Sequence, residues 1–550
     1  MKLLIVGGVA GGASAAARAR RLSETAEIIV FERGPDISFA NCGLPYYLGG
    51  KIEHRESLVL MTPAHFRERF ALDVRTRSEV IAIDRAAHRV RVRDHATGKE
   101  YDETYDKLIL SPGASPLRPP IPGIDLPGIF TLRDLGDVDR IQAKMGAGVR
   151  RAVIVGAGFI GLELAENFVR RGLETTVVEL QDQVMPPFDK EMTTPIVAEA
   201  KARGVQVLLS RSAKAFERSG NAISVRLNDN SSIETDLVIL GVGVRPENAL
   251  AVASGLEVGP RGGIRVDDRM RTNDPDIFAV GDAVETTDFV LDTPTQVPLG
   301  GPANRQGRIA ADNAMGRDTV FRGTQATAVL GLFDLTAAMT GASEKSLTRL
   351  GKPFERVYVH PTNHAGYYPG AERIHLKLLF EPVTGRILGA QGVGKAGVDK
   401  RIDVIAMAIQ AGMTVFDLEE SELCYAPQFG SAKDAVNMAG FVAAGKLRGD
   451  QPQIEIDTIM SLPEPERPLI LDVRTTVEFA HGAIPGAKHI PVDELRDRLG
   501  ELPKNRLIAC YCQIGQRGYL ATRILLQRGF EVANIDGGYE TFRHFFPAES

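Results

Sequence analysis

The residues of this 550-residue chain best suited to sulfur chemistry are its four cysteines, Cys42, Cys424, Cys510 and Cys512. They form no CxxC pair and no Cys/His cluster with zinc spacing, so no metal is expected. Two of them stand in reactive settings. Cys42 lies in Ser38-Phe39-Ala40-Asn41-Cys42-Gly43-Leu44-Pro45, just beyond a strand that ends in Glu32. Cys512 follows the apolar run Leu507-Ile508-Ala509-Cys510-Tyr511 and opens the loop Cys512-Gln513-Ile514-Gly515-Gln516-Arg517-Gly518. A loop of that shape, leading into a helix, surrounds the sulfur with backbone N–H groups that stabilise a thiolate or the outer sulfur of a persulfide. Arg517 adds positive charge. The C-x4-R spacing is one residue shorter than that of cysteine phosphatases and fits sulfur transfer better than phosphate. Cys510 is expected to face the other way on its strand, into the core, and Cys424 to be structural.

Two strand–glycine–helix units must position this chemistry. Leu3-Leu4-Ile5-Val6 runs into Gly7-Gly8-Val9-Ala10-Gly11-Gly12 and an Ala/Arg-rich helix. Ala152-Val153-Ile154-Val155 runs into Gly156-Ala157-Gly158-Phe159-Ile160-Gly161 and a helix through Arg171. Short, β-branched apolar runs are expected of buried parallel strands. A strand that turns tightly into a helix aims free N–H groups at a phosphate, and an acid at the end of the next strand takes a ribose hydroxyl. Glu32 and Glu179 stand at those strand ends. The second unit matches G-x-G-x-x-G; the first has Val9 in the middle glycine position. Glu179 would repel a 2′-phosphate, which favours NADH over NADPH.

The net charge of −5 and the lack of a Lys/Arg block give no sign of a nucleic-acid partner. No apolar run is long enough for a signal peptide or a membrane span. So few cysteines argue for a reducing compartment, and the cytoplasm is the expected location.

Beyond these units, Ala279-Val280-Gly281-Asp282 and Leu110-Ser111-Pro112-Gly113 complete a pattern that resembles the pyridine-nucleotide disulfide oxidoreductases over residues 1 to about 445. The resemblance implies an α/β fold with two Rossmann-like nucleotide-binding domains and an α+β dimerisation domain. It implies FAD at the first unit and NAD(P)H at the second. On this likeness FAD meets the Gly7–Gly12 loop, Glu32, Arg33, Asn41, Ser111 to Gly113, Gly281, Asp282, Leu299 and Ala303. The second nucleotide meets Gly156, Gly158, Phe159, Ile160, Gly161, Glu179 and Gly243.

Glutathione-reductase-like members carry a Cys-x4-Cys pair where this chain has Cys42 alone. A single thiol must cycle through a mixed disulfide, a persulfide or a sulfenate. Single-cysteine peroxidases and oxidases place a histidine in the first glycine loop; Ala10 stands there. The Val-Ala-Gly-Gly loop instead is similar to that of coenzyme A-linked members. In those, two tyrosines from the partner subunit complete the site, and the matching segments place Tyr367 and Tyr425 over Cys42 of the other chain of a homodimer. The coenzyme A phosphates would meet cations, and Ser38, Asn41, Arg18, Arg21, Arg67, Asn304, Arg305 and Lys433 are the candidates. From Leu469 the chain resembles a rhodanese domain, with Leu471-Asp472-Val473-Arg474 and Glu478-Phe479-Ala480-His481-Gly482 before the Cys512 loop.

The whole is therefore similar to coenzyme A disulfide reductase–rhodanese fusions, among them NADH-dependent persulfide and polysulfide reductases. The resemblance implies reduction of coenzyme A persulfide, polysulfide or coenzyme A disulfide at Cys42, with Cys512 handling sulfane sulfur. An NADH oxidase or peroxidase, and a sulfur carrier or redox sensor, are the alternatives. Expected boundaries are 1–112 with 245–324 for FAD, 113–244 for NAD(P)H, 325–445 for dimerisation, 446–468 as a linker and 469–550 for the rhodanese domain. The linker is polar and Pro-containing, and long enough to let the tail swing.

Overall fold

Residues 1–547 are described by the computed structural model, in two compact units: Met1–Asp182 with Arg203–Ala326, and Gln183–Ala202 with the chain from Thr327.

In the first unit, strands Lys2–Val6, Glu27–Glu32, Asp73–Thr76, Lys107–Leu110 and Ile277–Ala279 form one parallel sheet. Its central strand is apolar from Leu3 to Val6 because both faces are covered there. Leu3 and Ile5 pack with Ala15, Ala16 and Ala310 of two helices, while Leu4 and Val6 pack with Val80, Val90 and Val92 of an antiparallel three-stranded sheet. The strand at Ile277 returns the chain to this sheet. A second parallel sheet joins Ile129–Phe130, Arg151–Val155, Glu174–Val178, Gln206–Leu208 and Leu237–Leu240, again faced by an antiparallel meander through Phe216 and Val225.

The second unit holds an antiparallel sheet of Ala328–Leu332, Leu335–Gly341, Ile387–Gly394, Ile374–Phe380 and Glu355–Val359 in that spatial order. Beyond it lies a parallel sheet of Gln453–Ile454, Val532–Ile535, Ile508–Tyr511, Leu469–Asp472 and Lys488–His489.

Two segments pack otherwise than their sequence suggests. The segment 183–202 packs with the second unit. The cause is Lys377, fully buried in the antiparallel sheet. Its ammonium needs counter-charges, and Asp189 at 2.9 Å, Glu191 at 2.6 Å and Glu344 at 2.7 Å supply them. The 446–468 segment is likewise not a bare linker. Gln453–Ile454 pairs with the strand Val532–Ile535, and Ile456 and Ile459 of a short helix are buried. Its polar residues fix the tail in place. Asp457 receives two 2.6 Å hydrogen bonds from Arg356, and Lys446 bridges Glu355 and Glu455 at 2.7 and 3.0 Å. The Tyr358 N–H donates to both carboxylate oxygens of Asp536, at 3.0 and 3.1 Å. Three of these polar ties join the segment and the tail to the antiparallel sheet: Arg356 to Asp457, Lys446 to Glu355 and Tyr358 to Asp536.

Candidate active site

The turn after the first strand starts at Gly7, whose φ of +91° lies in the left-handed region, and ends at Gly12, where a Cβ would sit 1.8 Å from the Gly7 carbonyl oxygen. Only glycine permits that approach of helix to strand. Gly161 stands in the same relation to Gly156, at 2.0 Å. Gly158, by contrast, faces nothing within 4 Å, so its backbone is open to a ligand. This is the division of labour that a pyrophosphate-binding turn needs. Glu32 and Glu179 brace the turns from below: Glu32 accepts from Gly8 and Gly34 N–H at 3.0 and 2.9 Å, and Glu179 from Ala157 and Gln181 N–H at 2.7 and 2.9 Å.

Around the first turn several of these residues pack together. A Cβ on Gly11 would meet Val280, the Ser111 hydroxyl and the Ala303 carbonyl. Gly281 donates its N–H to Gln306 at 2.8 Å, which fixes it against the helix Gly300–Ala314 that Leu299 caps. Gly113 and Gly243 take φ of +75° and +103°, and Arg33 pairs with Glu247 at 3.1 Å. Asp282 is raised above the usual carboxylate range by burial, which Arg133 partly offsets. The donors and glycine cradles fit FAD at the first turn and a second dinucleotide at the other.

Cys42 sits in a single helical turn, Asn41–Gly43, directly ahead of the helix Leu44–Leu48. That short helix packs on Phe159–Arg170, the helix that begins at the second glycine turn. One packing contact thus brings the thiol's own helix to the helix of the second nucleotide turn. It also brings in residues that the sequence reading missed. Tyr46 donates to Glu163 at 3.2 Å and Lys51 pairs with Glu166 at 3.2 Å. Burial pushes the Glu163 carboxyl up to about 7, with Glu166 adding to the rise. Cys42 is exposed, yet the protein crowding it raises its thiol above the ordinary value, and Glu163 and Asp282 add to the rise. Glu163 sits one turn into the helix beyond the glycines. The available signal was the polar series Glu163, Glu166, Asn167 and Arg170 on an otherwise apolar helix.

The cationic candidates divide. Arg18 is occupied by Asp312 at 2.7 Å, and Asn304 accepts the Ser14 hydroxyl. Among the described residues Arg21, Arg67 and Arg305 make no ion pair, although Arg305 lies over the Phe321 ring. Ser38 is buried with φ +51°, and Asn41 is exposed beside Cys42. In the second unit Tyr367 and Tyr425 are exposed and hydroxyl to hydroxyl at 3.0 Å, which pairs two phenols the sequence separates widely. Lys433 lies over the Phe441 ring. Cys424, expected to be structural, is exposed instead.

Cys512 leaves the strand Ile508–Tyr511 and accepts the Arg517 N–H at 3.2 Å. Cys510 is core, as expected, but on the same face as Cys512: both pack with Leu471, while Ala509 and Tyr511 turn to the opposite cluster. A pleat of period two sends residues two apart the same way. Burial pushes Cys510 up to about 12 and leaves it inert. Arg517 is not a free charge, because Glu478 takes it at 2.6 Å. Beside the loop a cleft of ≈ 450 Å³ is lined by Arg474, Val477, Glu478, His481, Gln513, Tyr539 and Arg543. Arg474, almost fully buried, is locked by Asp472 and the Gly482 carbonyl and reaches Gln513 at 3.2 Å.

Comparison with known proteins matches this geometry. A model of the pyridine nucleotide-disulphide oxidoreductases covers residues 1–307, one of that family's dimerisation domain covers 327–436, and a rhodanese-like domain covers 456–544. The chain is 36% identical over 444 residues to the coenzyme A disulfide reductase of Staphylococcus haemolyticus, covering 80% of this chain and 99% of that one. The crystal structure of reduced Bacillus anthracis CoADR-RHD is 47% identical, with a TM-score of 0.96 over 99% of this chain and 98% of that chain. An NAD-dependent persulfide reductase from A. fulgidus is 37% identical, with a TM-score of 0.92 over 98% and 100%. With two nucleotide turns, a lone thiol beside them and a cysteine loop in its tail, this chain belongs to the pyridine nucleotide-disulphide oxidoreductases, flavoproteins that use FAD and NAD(P)H, and carries a C-terminal rhodanese domain.

Proposed function

We propose that the protein reduces coenzyme A persulfide, polysulfide or coenzyme A disulfide with NADH, through Cys42. The observation that carries this reading is a thiol without a second cysteine beside it, in the turn directly ahead of a helix packed against the second nucleotide helix. The Cys42 thiolate attacks the substrate S–S bond; that bond breaks, and one half leaves as thiolate or sulfide while the other stays in a mixed disulfide or persulfide on Cys42. Bound FAD would supply the electron pair, drawn from NADH, that cleaves this second S–S bond, releasing the retained half as thiolate or sulfide and returning Cys42 to the thiolate. Glu179, fixed by two N–H groups, places negative charge where a 2′-phosphate would lie and so favours NADH. Tyr367 and Tyr425 protonate the departing thiolate across a homodimer interface. Arg21, Arg67, Arg305 and Lys433 offer cations for the coenzyme A phosphates. Cys512 takes up sulfane sulfur. The protein works in the reducing cytoplasm on small thiol and persulfide substrates. Among the described residues no helix is long and apolar enough to cross a membrane.

The test is NADH oxidation against coenzyme A disulfide, coenzyme A persulfide, glutathione persulfide and polysulfide. Activity is expected with the coenzyme A and polysulfide substrates, lost in Cys42→Ser. Cys512→Ser should slow the sulfane substrates and spare coenzyme A disulfide. Rapid NADH oxidation with oxygen or peroxide alone would replace this reading with the oxidase or peroxidase alternative.

A further inference from the structure

The helix Gly538–Phe545 begins on the Cys512 loop and ends on a histidine cluster that the sulfur chemistry does not use. Tyr539 donates its N–H to the Cys512 carbonyl at 2.8 Å, and Glu540 donates its own to Gln513 at 2.9 Å. One turn later Glu540 and His544, four residues apart, share a helix face. Opposite them are His375, in the strand Ile374–Phe380, and His360, just beyond Glu355–Val359. The His375 and His544 ring centroids are 4.4 Å apart, in an edge-on arrangement.

Three observations point to a ligand. A donor atom from each of His375, Glu540 and His544 lies within 4.8 Å of the others. His544 is 7% exposed, and its Nδ1 is buried with no hydrogen-bond partner among the described residues. An unpaired polar atom in that position costs free energy unless something binds it. His375, finally, is oriented from behind: its Nδ1 lies 2.9 Å from His360 Nδ1, and His360 Nε2 lies 2.8 Å from the Thr541 hydroxyl. That relay occupies one nitrogen of His375 and leaves Nε2 as the other donor atom, the arrangement in which metal-bound imidazoles are held.

We propose that His375, His544 and Glu540 form a structural site for a divalent cation of the zinc class, which clamps the helix Gly538–Phe545 to the antiparallel sheet. Two imidazoles and a carboxylate suit a borderline cation better than magnesium or calcium. Zn–N bonds of about 2.0–2.1 Å draw ligand atoms to roughly 3.3 Å from one another, a contraction within reach of side-chain rotation. Two cations oppose the ion. Arg543, 3.9 Å from Glu540, is 60% exposed and free to turn to solvent, and Arg373 is held on the His360 carbonyl at 3.1 Å. Glu540 gives one oxygen to Gln513 at 2.9 Å and keeps the other. The ion would therefore tie the sheet, the helix and the residue after Cys512 into one body. The second acidic group of this unit, Asp189, Glu191 and Glu344, carries no such site because the Lys377 ammonium already occupies its centre. Sequence spacing gave no zinc pattern because the ligands come from segments far apart in the chain.

The full-length holoprotein, free of any histidine tag and carrying Cys42→Ser, Cys424→Ser and Cys512→Ser to remove thiolate ligands, is titrated with Co²⁺. One equivalent per chain is expected, with visible d–d absorption and no sulfur-to-metal band. His544→Gln and, separately, the milder Glu540→Gln should each weaken Co²⁺ binding at least about tenfold. Zn²⁺ should raise the thermal midpoint of the parent protein and leave that of Glu540→Gln unmoved. Failure to take up Co²⁺, or uptake that both substitutions leave unchanged, overturns the proposal. Neither result bears on the role of Cys42.

Discussion

Around Cys42 the decisive charge is on Glu163, and it acts in a pH-dependent way. Burial does most to hold the Cys42 thiol above its ordinary value, and the Glu163 carboxylate adds to this by disfavouring a second negative charge. Glu163 itself titrates near 7, because burial disfavours its charged form. Its effect on Cys42 is therefore present above that pH and fades below it. In Glu163→Gln, alkylation of Cys42 at pH 8 should rise several-fold, since more of the sulfur is then thiolate. At pH 6 mutant and wild type should react at nearly the same rate. Peptide-resolved iodoacetamide labelling of the intact protein checks this and separates Cys42 from exposed Cys424; equal rates at pH 8 would remove Glu163 from the site. The residue scale also shows where legibility ends. Cys42, Cys512 and the glycines were readable because each obeys a local rule of type and spacing. Glu163 and Tyr46 were not, since only the packing of Leu44–Leu48 on Phe159–Arg170 makes them neighbours. Arg517 was readable as a charge, but its neutralisation by Glu478 required the folded loop.

At the scale of elements, strand–glycine–helix units announce themselves because periodicity and turn chemistry are local. Docking between elements does not. The segment 446–468 has the composition of a linker, yet its Lys446 and Asp457 are the partners of Glu355 and Arg356. Polar residues signal solvent only while their partners are unknown. The same holds for Lys377, a lysine in the strand sequence Ile374–Phe380 that proves fully buried among three carboxylates. Burial works to raise the Asp189 carboxyl, but Lys377 overrides it and holds the group below the usual range. The stabilisation from that shift is present above the unfolded value of about 3.9 and is lost as pH falls through the lower folded value. Lys377→Met leaves Asp189 and Glu191 buried without their cation, while Glu344 keeps Arg356, so at pH 7.5 it should cost roughly 3–5 kcal/mol. The cost should shrink at pH 5, where the stranded carboxyls take up protons. Thermal midpoints of both proteins at the two pH values decide it; a gap that does not narrow in acid would show that packing, not charge, dominates there.

For the whole molecule, the order of parts was legible because each part has its own motif, while the completeness of a site was not. One chain holds Cys42 in its first unit and the hydroxyl pair of Tyr367 and Tyr425 in its second. Tyr367 is 76% exposed and Tyr425 50%, although their hydroxyls are hydrogen-bonded, and Phe429 nearby in sequence is 65% exposed. The proposed homodimer would give these exposed aromatic groups a surface to meet. A homodimer with two-fold symmetry makes each contact twice, so tyrosines that serve the other chain's cysteine do so in both directions. Genetics can separate this from service within one chain. Cys42→Ser alone should be inactive, and Tyr367→Phe with Tyr425→Phe should be strongly slowed. Co-expressed under two tags and purified through both, the mixed dimer pairs the intact Cys42 of one chain with the intact tyrosines of the other. Its opposite site combines both lesions. Sharing across the interface therefore predicts recovery to about half of wild-type activity per dimer. Service within one chain predicts no recovery, because every site would then keep one lesion.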